Sequence, residues 1–222
     1  SRWVRYSADC DSRRVLLRRT LALLPDFDPA TSSFLDVGAG YGNLVVAASD
    51  RFASVAGIEI EEDRVEWSKQ RAPGADLRAG SADALPWDDA SFDFIACLDV
   101  YEHLNPRQQR KAAEEAFRVL RPGGYLLVAV PNRFQLKDEH HFVWLGTWPR
   151  GALKKWYVET LSGNPLVACW EKTRIGWRSL FASAGFRLIA RPKLDDYNSR
   201  LKERIDLAFP QRSNLLLQKP AK

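Results

Sequence analysis

Three features of the sequence predict an α/β architecture, a mostly parallel sheet with helices on both faces. Short β-type runs alternate with helix-type stretches from Ser33 onward. One run, Phe92–Leu98, is almost continuously apolar, as expected of a strand covered on both sides. A glycine-rich turn follows directly on the first run, at Leu35–Gly42. Such alternation gives right-handed βαβ crossovers, which place successive strands parallel.

The elements follow in order. Ser33–Val37 reads as a strand and Tyr41 to about Asp50 as a helix. Ser54–Glu59 is the next strand and Glu61–Arg71 the next helix, with acidic residues near its start that suit the helix dipole. Ala75–Ala79 and Phe92–Leu98 are the third and fourth strands. Asn105 reads as an N-cap and Pro106 as the first residue of a helix that runs to about Leu120 and stops at Pro122-Gly123-Gly124. Tyr125–Val130 is a fifth strand. Thr173–Ala184 reads as a helix ended by Gly185, and Phe186–Ala190 and Asn214–Gln218 as two last strands. Residues 132–172 show no clean period. Residues 1–30 form a basic, amphipathic helical lead-in. The whole chain, 1–222, is read as one domain.

Composition narrows the function. The 222 residues are 45% hydrophobic and carry a net charge of +5. No apolar run approaches the roughly 18–20 residues of a membrane span, so no span is expected. The chain opens on Ser-Arg-Trp-Val-Arg with no apolar stretch of signal length, so no signal peptide is expected, and Ser1 is not expected to be the natural start. Cys10, Cys97 and Cys169 are odd in number and far apart, which points to a reducing cytoplasm rather than a disulfide framework. The charge gathers at Arg13, Arg14, Arg18 and Arg19 and at Lys154 and Lys155, where a solvated helix face is the ordinary reading. It falls short of a concentrated basic stripe, so a nucleic-acid partner is not expected. The sequence leaves the oligomeric state open.

The most informative segment is Leu35-Asp36-Val37-Gly38-Ala39-Gly40-Tyr41-Gly42. Glycines at alternate positions let the backbone pass close to a ligand. In the dinucleotide fingerprint G-x-G-x-x-G the third glycine stands one residue later, where this chain has Asn43. The acidic residue two positions before Gly38 suits a cationic amino-acid end better than a pyrophosphate. The segment resembles motif I of class I S-adenosylmethionine (SAM)-dependent methyltransferases, D/E-x-G-x-G-x-G. Gly80-Ser81-Ala82-Asp83-Ala84-Leu85-Pro86-Trp87, Ser91-Phe92-Asp93-Phe94 and Arg118 to Gly124 are similar to further segments of the ubiquinone/menaquinone-biosynthesis-type, small-molecule branch. The resemblance implies a Rossmann-like sheet of seven strands, the last antiparallel, and SAM as cofactor. It implies that Asp36, Gly38, Gly40, Gly42, Glu59, Ile60, Ala82, Asp83, Leu98 and Asp99 bind the cofactor. Glu59 would take the ribose hydroxyls, Asp83 the adenine amino group, and Asp99 the methionine end.

Methyl transfer from a sulfonium is an in-line displacement, so the protein supplies orientation and, for an oxygen acceptor, a base. His103, just past the fourth strand, is the best base candidate because imidazole titrates near working pH; His141 is the second catalytic candidate. Asp99, Glu102 and His103 also match the E-x-x-E-H pattern of metal-assisted O-methyltransferases, with His140 or His141 as a further ligand. The first acid is the shorter Asp, and a metal is not predicted. Residues 132–172 correspond to the insertion that shapes the substrate pocket in this family. Trp144, Trp148, Trp156, Tyr157 and Trp170 fit either a lid over a flat or lipid-like acceptor or a satellite core under a long loop. Trp3 and Tyr6 are candidates to close the cofactor site. The predicted function is methyl transfer to an oxygen of a small molecule. The alternatives are metal-assisted 2′-O-methylation of RNA ends and a SAM-binding scaffold without catalysis; a nicotinamide-dependent oxidoreductase is disfavoured by the glycine spacing.

Overall fold

The computed structural model describes residues 10–134, 149, 151–163, 165, 169–192 and 212–221. Its strands are β1 (Ser33–Val37), β2 (Ser54–Glu59), β3 (Asp76–Ala79), β4 (Phe92–Leu98), β5 (Leu120–Pro131), β6 (Arg187–Ala190) and β7 (Arg212–Gln218). Its helices are α1 (Cys10–Leu21), α2 (Asn43–Ser49), α3 (Glu62–Arg71), α4 (Pro106–Val119), α5 (Gly151–Ser162) and α6 (Arg174–Ser183). The strands form one sheet in the order β3-β2-β1-β4-β5-β7-β6. The pairs from β3 through β5 are parallel, and β7 runs antiparallel to both β5 and β6. This is the Rossmann-like, seven-stranded arrangement that the sequence predicts.

Strand alternation explains why helices cover both faces. Leu35, Ile95, Leu126, Val128, Leu215 and Leu217 pack with Ala113, Ala116, Trp177 and Phe181 of α4 and α6. Their neighbours Phe34, Phe94, Ala96, Leu127 and Leu216 point the other way, against Leu17 of α1 and Val45 and Ala48 of α2. A two-residue repeat therefore feeds two cores at once. Phe94 stands at the centre of the second, within 5.8–5.9 Å, ring to ring, of Phe27, Phe34 and Phe52.

Local chemistry sets the boundaries. Asn105 caps α4 by accepting from the Arg107 and Gln108 amides, with Gln108 returning the bond and Pro106 opening the helix. Gly185, at φ +102°, ends the turn after α6. β5 starts at Leu120 rather than Tyr125, because Leu120 already pairs with Phe92 across a register shift. α5 lies in the stretch where the sequence showed no period. It buries only Val158, so there is no apolar stripe to read. Among the described residues no helix is long and apolar enough to cross a membrane.

Order reverses between β1 and β4: the chain runs outward through β2 and β3 on one side and through β5 on the other. Ligands of open α/β sheets bind in the crevice at such a point, beyond the strands' carboxyl ends.

Candidate cofactor and acceptor site

The crevice is built from the loops that leave β1 and β4. Gly38, Gly40 and Gly42 all have positive φ, at +82°, +54° and +75°, where a side chain would be strained. A Cβ on Gly38 would also run into Val100 Cγ2, whereas one on Gly40 would meet nothing within 4 Å. Gly38 thus lets the loop lie against the β4 exit, and Gly40 faces open space. The Gly38 and Ala39 amides both donate to Ile58 O at 2.9 Å, and Ser68 Oγ donates to Gly40 O at 3.0 Å. The loop is held from outside while its inner face lines a cavity of about 320 Å³, a volume in the usual range for small-molecule sites.

Asp36, Gly38, Gly40 and Leu98 lie together on the cavity wall, with Arg13, Ala39, Tyr41, Asn43, Leu44 and Arg64. Asp36 is 3% exposed. Among the described residues no donor bonds its carboxylate. Burial pushes that carboxyl up to about 7, with Arg13 opposing the shift and Glu59 adding to it. Glu59 is buried too, but it is fully engaged: it accepts from the Gly40 amide at 2.8 Å, Ile60 at 2.9 Å and Glu61 at 3.2 Å. Those bonds set the carboxylate at the β2 end and tie it to the glycine loop.

The other expected cofactor residues lie on neighbouring loops. Ile60 is 71% exposed. Ala82 packs on the core, and Asp83 accepts from Ser81 Oγ at 2.5 Å. Asp99, at φ +60°, pairs with Arg212 of β7. A non-glycine residue in this region is strained, and such strain is concentrated at functional sites. Gly42 caps α2 and packs on Ser68 rather than facing the cavity.

His103 ends a short 3-10 turn (Tyr101–His103), exposed, with Nδ1 3.8 Å from Cys169 Sγ. Glu102 is buried in the same turn, and its carbonyl accepts from the Trp170 amide at 2.7 Å. Gln109, fully buried in α4, donates Nε2 to both Tyr101 O and Trp170 O, at 2.9 and 3.0 Å. Segment 169–172 is thereby clamped over the β4 exit, and Lys154 of α5 joins it through Glu171 at 3.0 Å. Asp99, Glu102 and His103 do not converge, and no group of three ligating side chains forms among the described residues. His140, His141, Trp144, Trp148, Trp3 and Tyr6 lie outside the described residues.

Sequence reasoning missed Arg13 and Arg64 as cavity residues. The four arginines of α1 divide: Arg18 and Arg19 are exposed, Arg14 pairs with Asp11 and Asp50, and Arg13 faces the cavity. Because the Arg14 pairs lie at the surface, the solvated-face reading holds for three of the four and fails at Arg13. No local pattern separates them, because the division depends on how α1 lies across α2.

A seven-stranded sheet of this order, with an acid and a glycine loop at its switch point, defines the class I SAM-dependent methyltransferase fold. Residues 35–128 match the family described as "Methyltransferase domain", so this segment is a methyltransferase domain, and the cofactor of that family is SAM. A Mycolicibacterium smegmatis protein described as a probable S-adenosylmethionine-dependent methyltransferase is 42% identical over 96 residues, covering 43% of this chain and 36% of that protein. The 27-O-demethylrifamycin SV methyltransferase of Amycolatopsis mediterranei is 36% identical over 123 residues, covering 50% of this chain and 44% of its own. The matches to these curated relatives span less than half of their length. Among solved structures, a Mesorhizobium loti S-adenosylmethionine-dependent methyltransferase superposes with a TM-score of 0.65 at 16% identity, covering 89% of this chain and 95% of its own. The residues at the crevice fit SAM: a buried acid without a donor for the ammonium, a carboxylate at the β2 end for the ribose, and open space over Gly40.

Proposed function

We propose that the protein transfers a methyl group from SAM to an oxygen of a small-molecule acceptor. The observation that carries this reading is Asp36: a carboxylate 3% exposed, with no donor among the described residues, on the wall of a cavity beneath the glycine loop. An acid so placed is costly unless a cation joins it. SAM supplies an activated methyl group on its sulfonium.

In this reading Asp36 holds the amino-acid end, Glu59 the ribose, and the loops carrying Ile60, Ala82 and Asp83 the base, with Leu98 and Asp99 flanking the methionine chain. His103 stands on the acceptor side of the β4 exit and takes the acceptor's proton, with His141 as a second candidate. Residues 132–172 shape the acceptor pocket as a lid and residues 1–30 cover the cofactor. The small-molecule class and the oxygen acceptor draw support from the rifamycin relative, whose name states both. Cys10, Cys97 and Cys169 form no disulfide with one another, which suits a reducing cytoplasm.

The test is calorimetric titration with SAM and S-adenosylhomocysteine, repeated with Asp36→Ala and Glu59→Ala. Both substitutions should weaken binding by about tenfold or more. Acceptor screening with and without Mg²⁺ follows. A folded protein that binds neither ligand would defeat the reading.

A further inference from the structure

A helix that is apolar around most of its circumference is ordinarily buried. α5 departs from that rule. At 3.6 residues per turn its Leu153, Trp156, Val158 and Leu161 spread over about 200° of arc. The fold covers only Val158. Leu153, Trp156 and Leu161 are each 59–63% exposed. Trp170, also exposed, stands next to Glu171, which Lys154 of α5 holds at 3.0 Å. The two stretches therefore present their large apolar side chains side by side. Molecules that work alone rarely expose such patches.

The same stretch is cationic. Residues 151–178 hold five basic side chains against two acidic ones, a net +3 of the chain's +5. One of the two acids, Glu171, is already neutralised by Lys154, with their side chains 4% and 12% exposed. Lys155 and Arg178 are exposed. An occupant of this face must therefore offer apolar cover and negative charge together. A second copy of the chain would set +3 against +3, and like charges across an interface select against it. The buried centre of a protein–protein contact is also poor in lysine. A bilayer with anionic headgroups meets both needs, with phosphates for the cations and the acyl boundary for tryptophan and leucine. At 12 residues α5 is too short to cross a bilayer and long enough to lie along one.

We propose that α5, with Trp170 beside it, docks on the surface of an anionic lipid bilayer. Leu153, Trp156 and Leu161 enter the headgroup boundary, and Lys155 meets the phosphates. The docked face belongs to the acceptor side of the crevice, because the Trp170 amide donates to Glu102 O at 2.7 Å and Gln109 ties Trp170 O to the same turn. Docking stands apart from the SAM reading, so either can fail without the other.

The experiment is cosedimentation with vesicles of phosphatidylcholine alone and of phosphatidylcholine mixed equally with phosphatidylglycerol. The mixed vesicles should bind at least about tenfold more tightly. Replacing Leu153 and Leu161 together by serine should weaken that binding about tenfold. Lys155→Gln should weaken it about fivefold on the mixed vesicles alone. Both variants should keep the melting temperature and the SAM affinity, since the altered side chains lie at the surface. Lipids brominated in their acyl chains should quench fluorescence in the unaltered protein and quench it less in Trp156→Phe. Failure to bind either vesicle would overturn the proposal, as would equal binding to both or binding that the double serine variant leaves intact. A dimer in sedimentation equilibrium that the double serine variant dissociates would give the face to a second copy and overturn it too.

Discussion

The cofactor side and the acceptor side of the crevice are built to different rules. Around β1, β2 and the glycine loop the backbone is tied down by the fold: Glu59 accepts three amides, and the loop amides and carbonyl are bonded to Ile58 and Ser68. Across the crevice, α5 leaves Leu153, Trp156 and Leu161 exposed and buries only Val158. The first region is fixed by hydrogen bonds within the fold itself. The second offers apolar side chains whose partners are not supplied by the described fold. A site that must take one cofactor can be rigid, while one that takes the variable partner in the reaction keeps its surface open.

The contrast can be broken by substitution, beginning with the largest effect. Phe94→Ala removes the ring at the centre of the aromatic cluster and should cost about 4 kcal/mol in urea unfolding. A loss below about 1 kcal/mol would show that the core on this face is not close-packed. Glu59→Ala leaves three amides without their acceptor and should weaken SAM by about a hundredfold while lowering the melting temperature. Binding that survives would place the ribose elsewhere.

Asp36→Asn should separate stability from binding. Burial holds the Asp36 carboxyl at about 7, above its ordinary value, so the folded state keeps a proton that the unfolded chain releases. Stability therefore falls as pH rises from about 4 to 7, and the amide, free of that cost, should melt about 3 °C higher at pH 8. The same ionised carboxylate favours a cation, so SAM affinity should rise about tenfold between pH 6 and pH 8 in the unaltered protein. It should be weaker and flat with pH in Asp36→Asn. A pH-independent affinity in both proteins would remove Asp36 from the ammonium site.

The smallest effect belongs to the other region. Trp156→Ala, at a residue 63% exposed, should leave the melting temperature within about 1 °C and SAM affinity unchanged. Only the acceptor's KM should move, measured once an acceptor is found. A large stability loss would make α5 part of the core.

The legibility of the sequence follows the same division. The inner strands β2, β4 and β5 could be read because both faces of the sheet are covered there, so each carries a nearly continuous apolar run. The edge strands β3 and β6, by contrast, are exposed along much of their length and were read from the alternation and the turns that flank them. The glycine loop was legible because its positive φ values admit little else. α5 was invisible, since a helix that buries one residue has no stripe. Arg13 was hidden for another reason: four arginines in one helix look alike until the packing of α1 on α2 turns one of them inward. Asp99, Glu102 and His103 share a motif spacing, yet Asp99 turns to Arg212, Glu102 is buried and His103 stands exposed beside Cys169, and spacing alone could not show that.

The place of β7 also bears on how the polypeptide is made. This strand is the last of the seven in sequence but lies between β5 and β6. On a ribosome, β5 therefore waits with an open, apolar edge at Leu126–Val130 until Arg212–Gln218 emerge to pair with it. Until then the nascent sheet presents the kind of unpaired edge that recruits other chains. A premature stop anywhere before residue 212 would leave a centre without its closing strand, and its product would be a substrate for chaperones or proteases rather than a shortened enzyme.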